Sequence, residues 1–225
     1  MSRYHLDPAE CDLDWLRGKL ETHEIVPARR MLQDRVPERF EALRAAGIET
    51  MKDLVDALRS RDRIAKLSKR TGLPIEYLVW LGREARSYKP NPFSLRSISE
   101  VDIEVIDRLE HAGIQTTKRL FDLAAAASDR RRLAHSTGID SDALLALVKL
   151  SDLARIRGLG PTFVRLFTEC GVDRIDVLKN RNPEELHGRL CSVRRERRRS
   201  SIVPSLKDVT EYVEMAAELP SALEI

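Results

Sequence analysis

Leu43-Arg44-Ala45-Ala46-Gly47-Ile48-Glu49-Thr50-Met51-Lys52-Asp53-Leu54 returns as Leu109-Glu110-His111-Ala112-Gly113-Ile114-Gln115-Thr116-Thr117-Lys118-Arg119-Leu120. It returns again, more loosely, as Phe167-Thr168-Glu169-Cys170-Gly171-Val172-Asp173-Arg174-Ile175-Asp176-Val177-Leu178. In each copy an apolar residue precedes the glycine by four positions and a leucine follows it by seven, so both fall on one core. The small residue before the glycine sits where a helix ends. The glycine can take the left-handed conformation that closes a helix, and the Ile or Val after it plugs back onto the core. The unit reads helix, tight turn, helix. A search for self-similarity has to come first, because overlooking a repeat misreads the whole fold.

The first two copies stay in register further along: Thr71-Gly72-Leu73 meets Thr137-Gly138-Ile139, and Leu67, Leu78 and Leu81 meet Leu133, Leu144 and Leu147. The third copy breaks off after Leu178 and continues Asn182-Pro183-Glu184-Glu185. That is a helix start, with Asn as N-cap, Pro in the first turn and acids facing the helix dipole. Another helix follows Pro204-Ser205, with Leu206, Val209, Tyr212, Val213 and Ala216 at helical spacing. No clean period-2 run of β-branched and aromatic residues appears between turn signals, so the expected class is all-α, built of tandem helical repeats. The two prolines of Tyr88-Lys89-Pro90-Asn91-Pro92-Phe93-Ser94 cannot lie inside a helix and mark a linker. The expected organisation is capping helices over 1–35, a first repeat over 36–88, a second over 95–150 and a C-terminal domain over 151–225.

Composition bounds the function. The chain has 225 residues, 42% hydrophobic and 33% charged, with a net charge of +3, which fits a folded protein rather than a disordered or fibrous one. The longest apolar run, Ala143 to Val148, is far short of the roughly 20 residues that cross a bilayer. No membrane partner is expected. The opening Met-Ser-Arg-Tyr-His-Leu-Asp-Pro has no secretion-signal pattern, so a cytoplasmic location is expected, with Cys11, Cys170 and Cys191 as reduced thiols.

Ahead of the third copy stands Leu153-Ala154-Arg155-Ile156-Arg157-Gly158-Leu159-Gly160-Pro161-Thr162-Phe163. Two glycines let a backbone curl close to an anion, the leucine between them anchors the turn, and the positive end of the next helix faces the anion. The pattern Leu-x-x-Ile-x-Gly-Leu-Gly-Pro resembles the hairpin of helix-hairpin-helix proteins. The stretch from about Leu150 to Leu219 resembles a bacterial domain family of unknown function built from such units. The resemblance implies a turn that presents backbone N–H groups to a DNA phosphate without reading sequence. In the first two copies the places of Gly158, Leu159 and Gly160 are held by Asp34, Arg35 and Val36, and by Glu100, Val101 and Asp102. None of these substitutes suits a phosphate, so at most one hairpin of three is equipped for it.

Charge concentrates in the same region. Residues 155–207 hold 13 basic and 6 acidic side chains, with the densest run at Arg194, Arg195, Arg197, Arg198 and Arg199. A solvated helix end explains such a run, and so does a phosphate-contacting patch. The expected contacts are Arg155, Arg157, Gly158, Leu159, Gly160 and the five arginines of that run, with the arginine side chains at the surface. His5, His23, His111, His135 and His187 are scattered, and Asp12 with Asp14 and Asp140 with Asp142 sit at helix starts, where capping explains them. Cys170 takes the slot of Ala46 and Ala112, the place of a small buried residue. Tyr77 and Trp80 lie on an apolar stripe and read as core. No catalytic residue, metal or cofactor is expected. Two functions remain: weak, sequence-independent binding of duplex DNA, and a protein-interaction adaptor that uses degenerate repeats as a scaffold.

Overall fold

The structure, a computed structural model, describes residues 4–22, 27–98, 101–196 and 202–225, and its secondary structure there is helical. Among them there is no strand, only two isolated backbone bridges, Asp12 with Thr50 and Ser94 with Thr116. The helices are α1 (Leu13–Thr22), α2 (Val36–Ala45), α3 (Met51–Ala57), α4 (Arg61–Thr71), α5 (Ile75–Ser87), α6 (Ile103–His111) and α7 (Thr117–Ala124). They continue with α8 (Ala127–Thr137), α9 (Ser141–Leu153), α10 (Pro161–Glu169), α11 (Ile175–Leu178), α12 (Pro183–Glu196) and α13 (Leu206–Glu218).

The three glycine turns share one geometry. Gly47, Gly113 and Gly171 have φ of 76°, 76° and 77°. In each, the glycine N–H bonds back three residues, and the next N–H bonds back five: Ile48 to Leu43 O at 3.1 Å, Ile114 to Leu109 O at 2.9 Å, Val172 to Phe167 O at 3.0 Å. This double closure satisfies the last carbonyls of a helix and demands a left-handed residue, which glycine supplies without a Cβ penalty. The flanking anchors are all buried: Leu43 with Leu54, Leu109 with Leu120, Phe167 with Leu178.

The helix that follows each turn is held at its start by an incoming segment. Met51 N–H bonds Cys11 O at 2.9 Å, and Thr117 N–H bonds Phe93 O at 3.0 Å. At the third turn a side chain does the same: the Asp152 carboxylate accepts from Ile175 N–H at 2.8 Å. Polar caps set several starts. Thr50 with Asp53 and Ser205 with Asp208 form reciprocal capping boxes, Asp140 caps α9, and Asn182 accepts from Glu185 N–H at 2.9 Å.

The chain divides into two compact units, one of residues 6–89 and one of residues 90–225 together with 1–5. In the first, α1 packs on α2 and α3, and α5 on α3 and α4, around Leu16, Leu20, Phe40, Leu43, Leu54 and Leu78. Tyr77 is buried there as the apolar stripe predicts, whereas Trp80 is half-exposed with the guanidiniums of Arg29 and Arg83 over its ring. In the second, α7 packs on α8 and α9, α10 on α9 and α12, and α13 on α11 and α12. Tyr4 belongs to this second unit, not with the helices that follow it in the chain.

Candidate nucleic-acid interface

The glycine-rich turn joins α9 to α10. Ala154, Arg155 and Ile156 wind down from α9, Gly158 turns left-handed at φ 83°, and Leu159 drops into the core at 2% exposure. A Cβ on Gly158 would meet the Tyr212 ring at 3.5 Å, and the Tyr212 hydroxyl donates to Gly158 O at 3.3 Å. Helix α13 therefore packs directly on the turn. Burial pushes the Tyr212 hydroxyl up to about 12; Asp208 and Glu211 act in the same sense and Arg157 opposes them. Arg157 is half-exposed in the turn, close enough for Tyr212 to feel its charge.

The amides open to a ligand are not those of the turn itself. Leu159 N–H is taken by Ile156 O at 3.2 Å and Gly160 N–H by Gly158 O at 3.0 Å. The open ones are one step on. Gly160 is the N-cap of α10 and offers no side chain, Pro161 has no N–H, and the first amide with a backbone acceptor is Val164, bonded to Gly160 O at 2.9 Å. Thr162 and Phe163 are left with N–H groups that have no acceptor among the described residues, at the positive end of a helix. At the matching position of the second turn, Asp102 closes its own helix by accepting from Glu104 N–H at 2.9 Å. At the first, the matching residue is Val36, which starts α2 without a side-chain cap; Arg35 before it is left-handed with φ 49°, and Asp34 is held by Arg39 at 2.7 Å.

Arg155 corrects the expectation that it lies at the surface. It is 2% exposed, and its guanidinium bonds the Asp152 carboxylate at 2.6 Å, Tyr4 O at 3.3 Å and Pro220 O at 2.8 Å, with the Phe121 ring 4.9 Å away. A charge so deep has to be paired and hydrogen-bonded, and these partners leave Arg155 no route to an external phosphate. The sequence signal was Asp152, three residues earlier. Arg194 and Arg195 are exposed at the end of α12, as expected, and Arg197, Arg198 and Arg199 lie outside the described residues. No hydrogen bond or ion pair among the described residues joins Arg194 or Arg195 to residues 158–160.

Two features escaped the sequence reading. His187 Nε2 lies 3.8 Å from Cys191 Sγ, one helical turn along α12. A cleft of about 540 Å³ beside α12 is lined by Arg181, Arg189, Glu185 and Glu196, with Cys170 in its wall. Burial pushes the Cys170 thiol up to about 11, which favours the protonated thiol at neutral pH. Among the described residues no three His, Cys, Asp or Glu side chains converge to hold a metal, and no helix is long and apolar enough to cross a membrane.

These features define an all-helical protein with a glycine-led helix start, at α10, that no side chain caps. Residues 102–219, just over half of the chain, match the family described as Domain of unknown function (DUF4332), and the chain belongs to that family. The match begins well before Leu150, so it takes in the second glycine turn as well as the third. Neither the curated proteins nor the solved structures compared include a match to this chain.

Proposed function

We propose that this chain is a non-enzymatic protein of helix-hairpin-helix type that holds the phosphate backbone of duplex DNA weakly and without sequence preference. The observation that carries this reading is the open start of α10: Thr162 and Phe163 present unpaired amides where Asp102 closes the equivalent helix with its own carboxylate. A phosphate would supply the missing acceptor. Arg157 and the arginines at the end of α12 add the long-range attraction, and Arg155 instead fixes the base of the turn. The recurrence of the Gly47 and Gly113 turns supports reading the flanking segments as degenerate members of the same unit, kept for packing. The adaptor reading draws on a different observation, that only one turn of three has kept its glycines.

The test is a titration of fluorescent duplex DNA at two salt concentrations against wild type and Gly160→Asp. A Cβ at Gly160 meets nothing within 4 Å and its φ is −74°, so an aspartate fits there and closes α10 as Asp102 closes α6. Wild type should bind in the micromolar range or weaker, with a logarithmic salt slope of roughly −3 for about three phosphates. Gly160→Asp should lose at least ten-fold in affinity with its helical circular dichroism intact and its melting temperature unchanged or slightly raised. Equal binding by both proteins, or none by wild type at low salt, gives the chain to the adaptor reading.

A further inference from the structure

His187 and Cys191 on α12 have no part in the glycine-rich turn. Their Nε2 and Sγ atoms lie 3.8 Å apart, one helical turn along the same face, and both side chains are half-exposed. Cys191 is a free thiol, and neither side chain has another hydrogen-bond partner among the described residues. Helix α12 fixes the spacing. Leu186 and Leu190, each one position ahead of a member of the pair, are buried, and α12 packs on α10 and α13. Between the pair Gly188 brings no side chain, and a Cβ built there would meet nothing within 4 Å.

An imidazole nitrogen and a sulfur held at i and i+4 by a packed helix, with open space between them, make up half of a tetrahedral nitrogen and sulfur coordination sphere. The bite fits. With Zn–N near 2.0–2.1 Å and Zn–S near 2.3 Å, tetrahedral ligation sets the two donor atoms about 3.6 Å apart. The observed 3.8 Å needs only a small side-chain rotation. A thiolate beside an imidazole also selects Zn2+ over the hard cations Mg2+ and Ca2+, which take oxygen ligands. We propose that His187 and Cys191 chelate one Zn2+ ion on the face of α12, with water completing its coordination. On binding, the Cys191 thiol gives its proton to solvent, Sγ and the neutral imidazole Nε2 each donate a lone pair to the metal, and nothing is oxidised or reduced. Exposed Glu184, three residues ahead of His187, favours the cation, and exposed Arg194 and Arg195 in the next turn oppose it across screening solvent.

The test titrates the metal-free full chain with Co2+, whose thiolate ligation gives a sulfur-to-metal charge-transfer band in the near ultraviolet, and then adds Zn2+. Wild type and Cys11→Ser should show the band at one metal per chain, and Zn2+ should abolish it. Cys191→Ser should show no band, and His187→Ala should need at least ten-fold more Co2+ to reach it. Both side chains are half-exposed, so circular dichroism should report both variants folded. A wild type without the band at millimolar Co2+ overturns the proposal. So does a band that survives Cys191→Ser, which puts the metal on another thiol, or one that His187→Ala leaves unmoved, which reduces the site to a single thiolate. A measurement on the wild type alone decides the matter if a variant unfolds: Zn2+ should slow alkylation of Cys191, followed by peptide mass, and equal rates with and without Zn2+ overturn the chelate.

Discussion

Arg155 shows how much a single buried cation can organise. Its guanidinium meets Asp152 beside it, Tyr4 near one end of the chain and Pro220 near the other, while the second oxygen of Asp152 starts α11. Replacing Arg155 by Met removes the one countercharge bonded to Asp152 and frees both carbonyls. Loss of one partner from a buried ion pair costs about 3–5 kcal/mol, so chemical denaturation should show a drop of that size, against almost none for Arg194→Met on the exposed end of α12. Gly113 is the simpler case. Its added Cβ would meet open space, so the whole penalty of Gly113→Val comes from φ of 76°. A β-branched residue there should lower stability by about 1 kcal/mol or more, read as a shifted urea midpoint with an unchanged slope.

Among the elements, helix starts carry much of the specificity, and they are titratable. The Thr50 hydroxyl, helped by the Thr50 N–H, holds the Asp53 carboxyl below the usual carboxylate range. The Lys179 ammonium, followed by the Ser221 hydroxyl, does the same for Asp176. In the unfolded chain these carboxylates take up protons first as pH falls. Their contribution is therefore complete above the ordinary aspartate value, about 4, and is lost as pH drops through the lower folded values. Melting followed by circular dichroism should be flat from neutrality to about pH 5 and fall below about pH 4. Asp53→Asn should lower the plateau and make the acid fall shallower; an unchanged acid limb would remove Asp53 from the account. Helix α10 differs from these capped elements in having glycine at its N-cap, with no side chain to close it.

For the molecule as a whole, the division into residues 6–89 and residues 90–225 with 1–5 means that the chain passes between units twice, at His5–Leu6 and at Lys89–Pro90. A single cut between Tyr88 and Asn91 leaves Tyr4 on the fragment that does not contain its partners Thr117, Phe121 and Arg155. The nicked protein should run as two bands on a denaturing gel and as one species in native size exclusion. With Tyr4→Ala the two fragments should separate. Fragments of the wild-type protein that part after the same cut would show that the Tyr4 attachment does not hold in solution.

The helical class, the Gly47, Gly113 and Gly171 turns and the starts of α12 and α13 were legible in the sequence. Each depends on residues close together along the chain: a glycine at a left-handed position, an Asn or Ser one step ahead of a helix, apolar residues at helical spacing. The glycine-rich turn was legible for the same reason. What only the tertiary structure decided is where its charges and amides point. Arg155 looks like its exposed neighbours until Asp152, Tyr4 and Pro220 close around it, and two of those partners are distant in sequence. The loop amides of Leu159 and Gly160 are spent on local carbonyls, and this moves the open pair to Thr162 and Phe163. The sequence reading places Tyr4 in the capping segment 1–35. It is core because a pocket assembled from α7 and the end of α9 supplies a hydroxyl, a ring and a guanidinium, and no local pattern encodes a contact across 113 positions of chain.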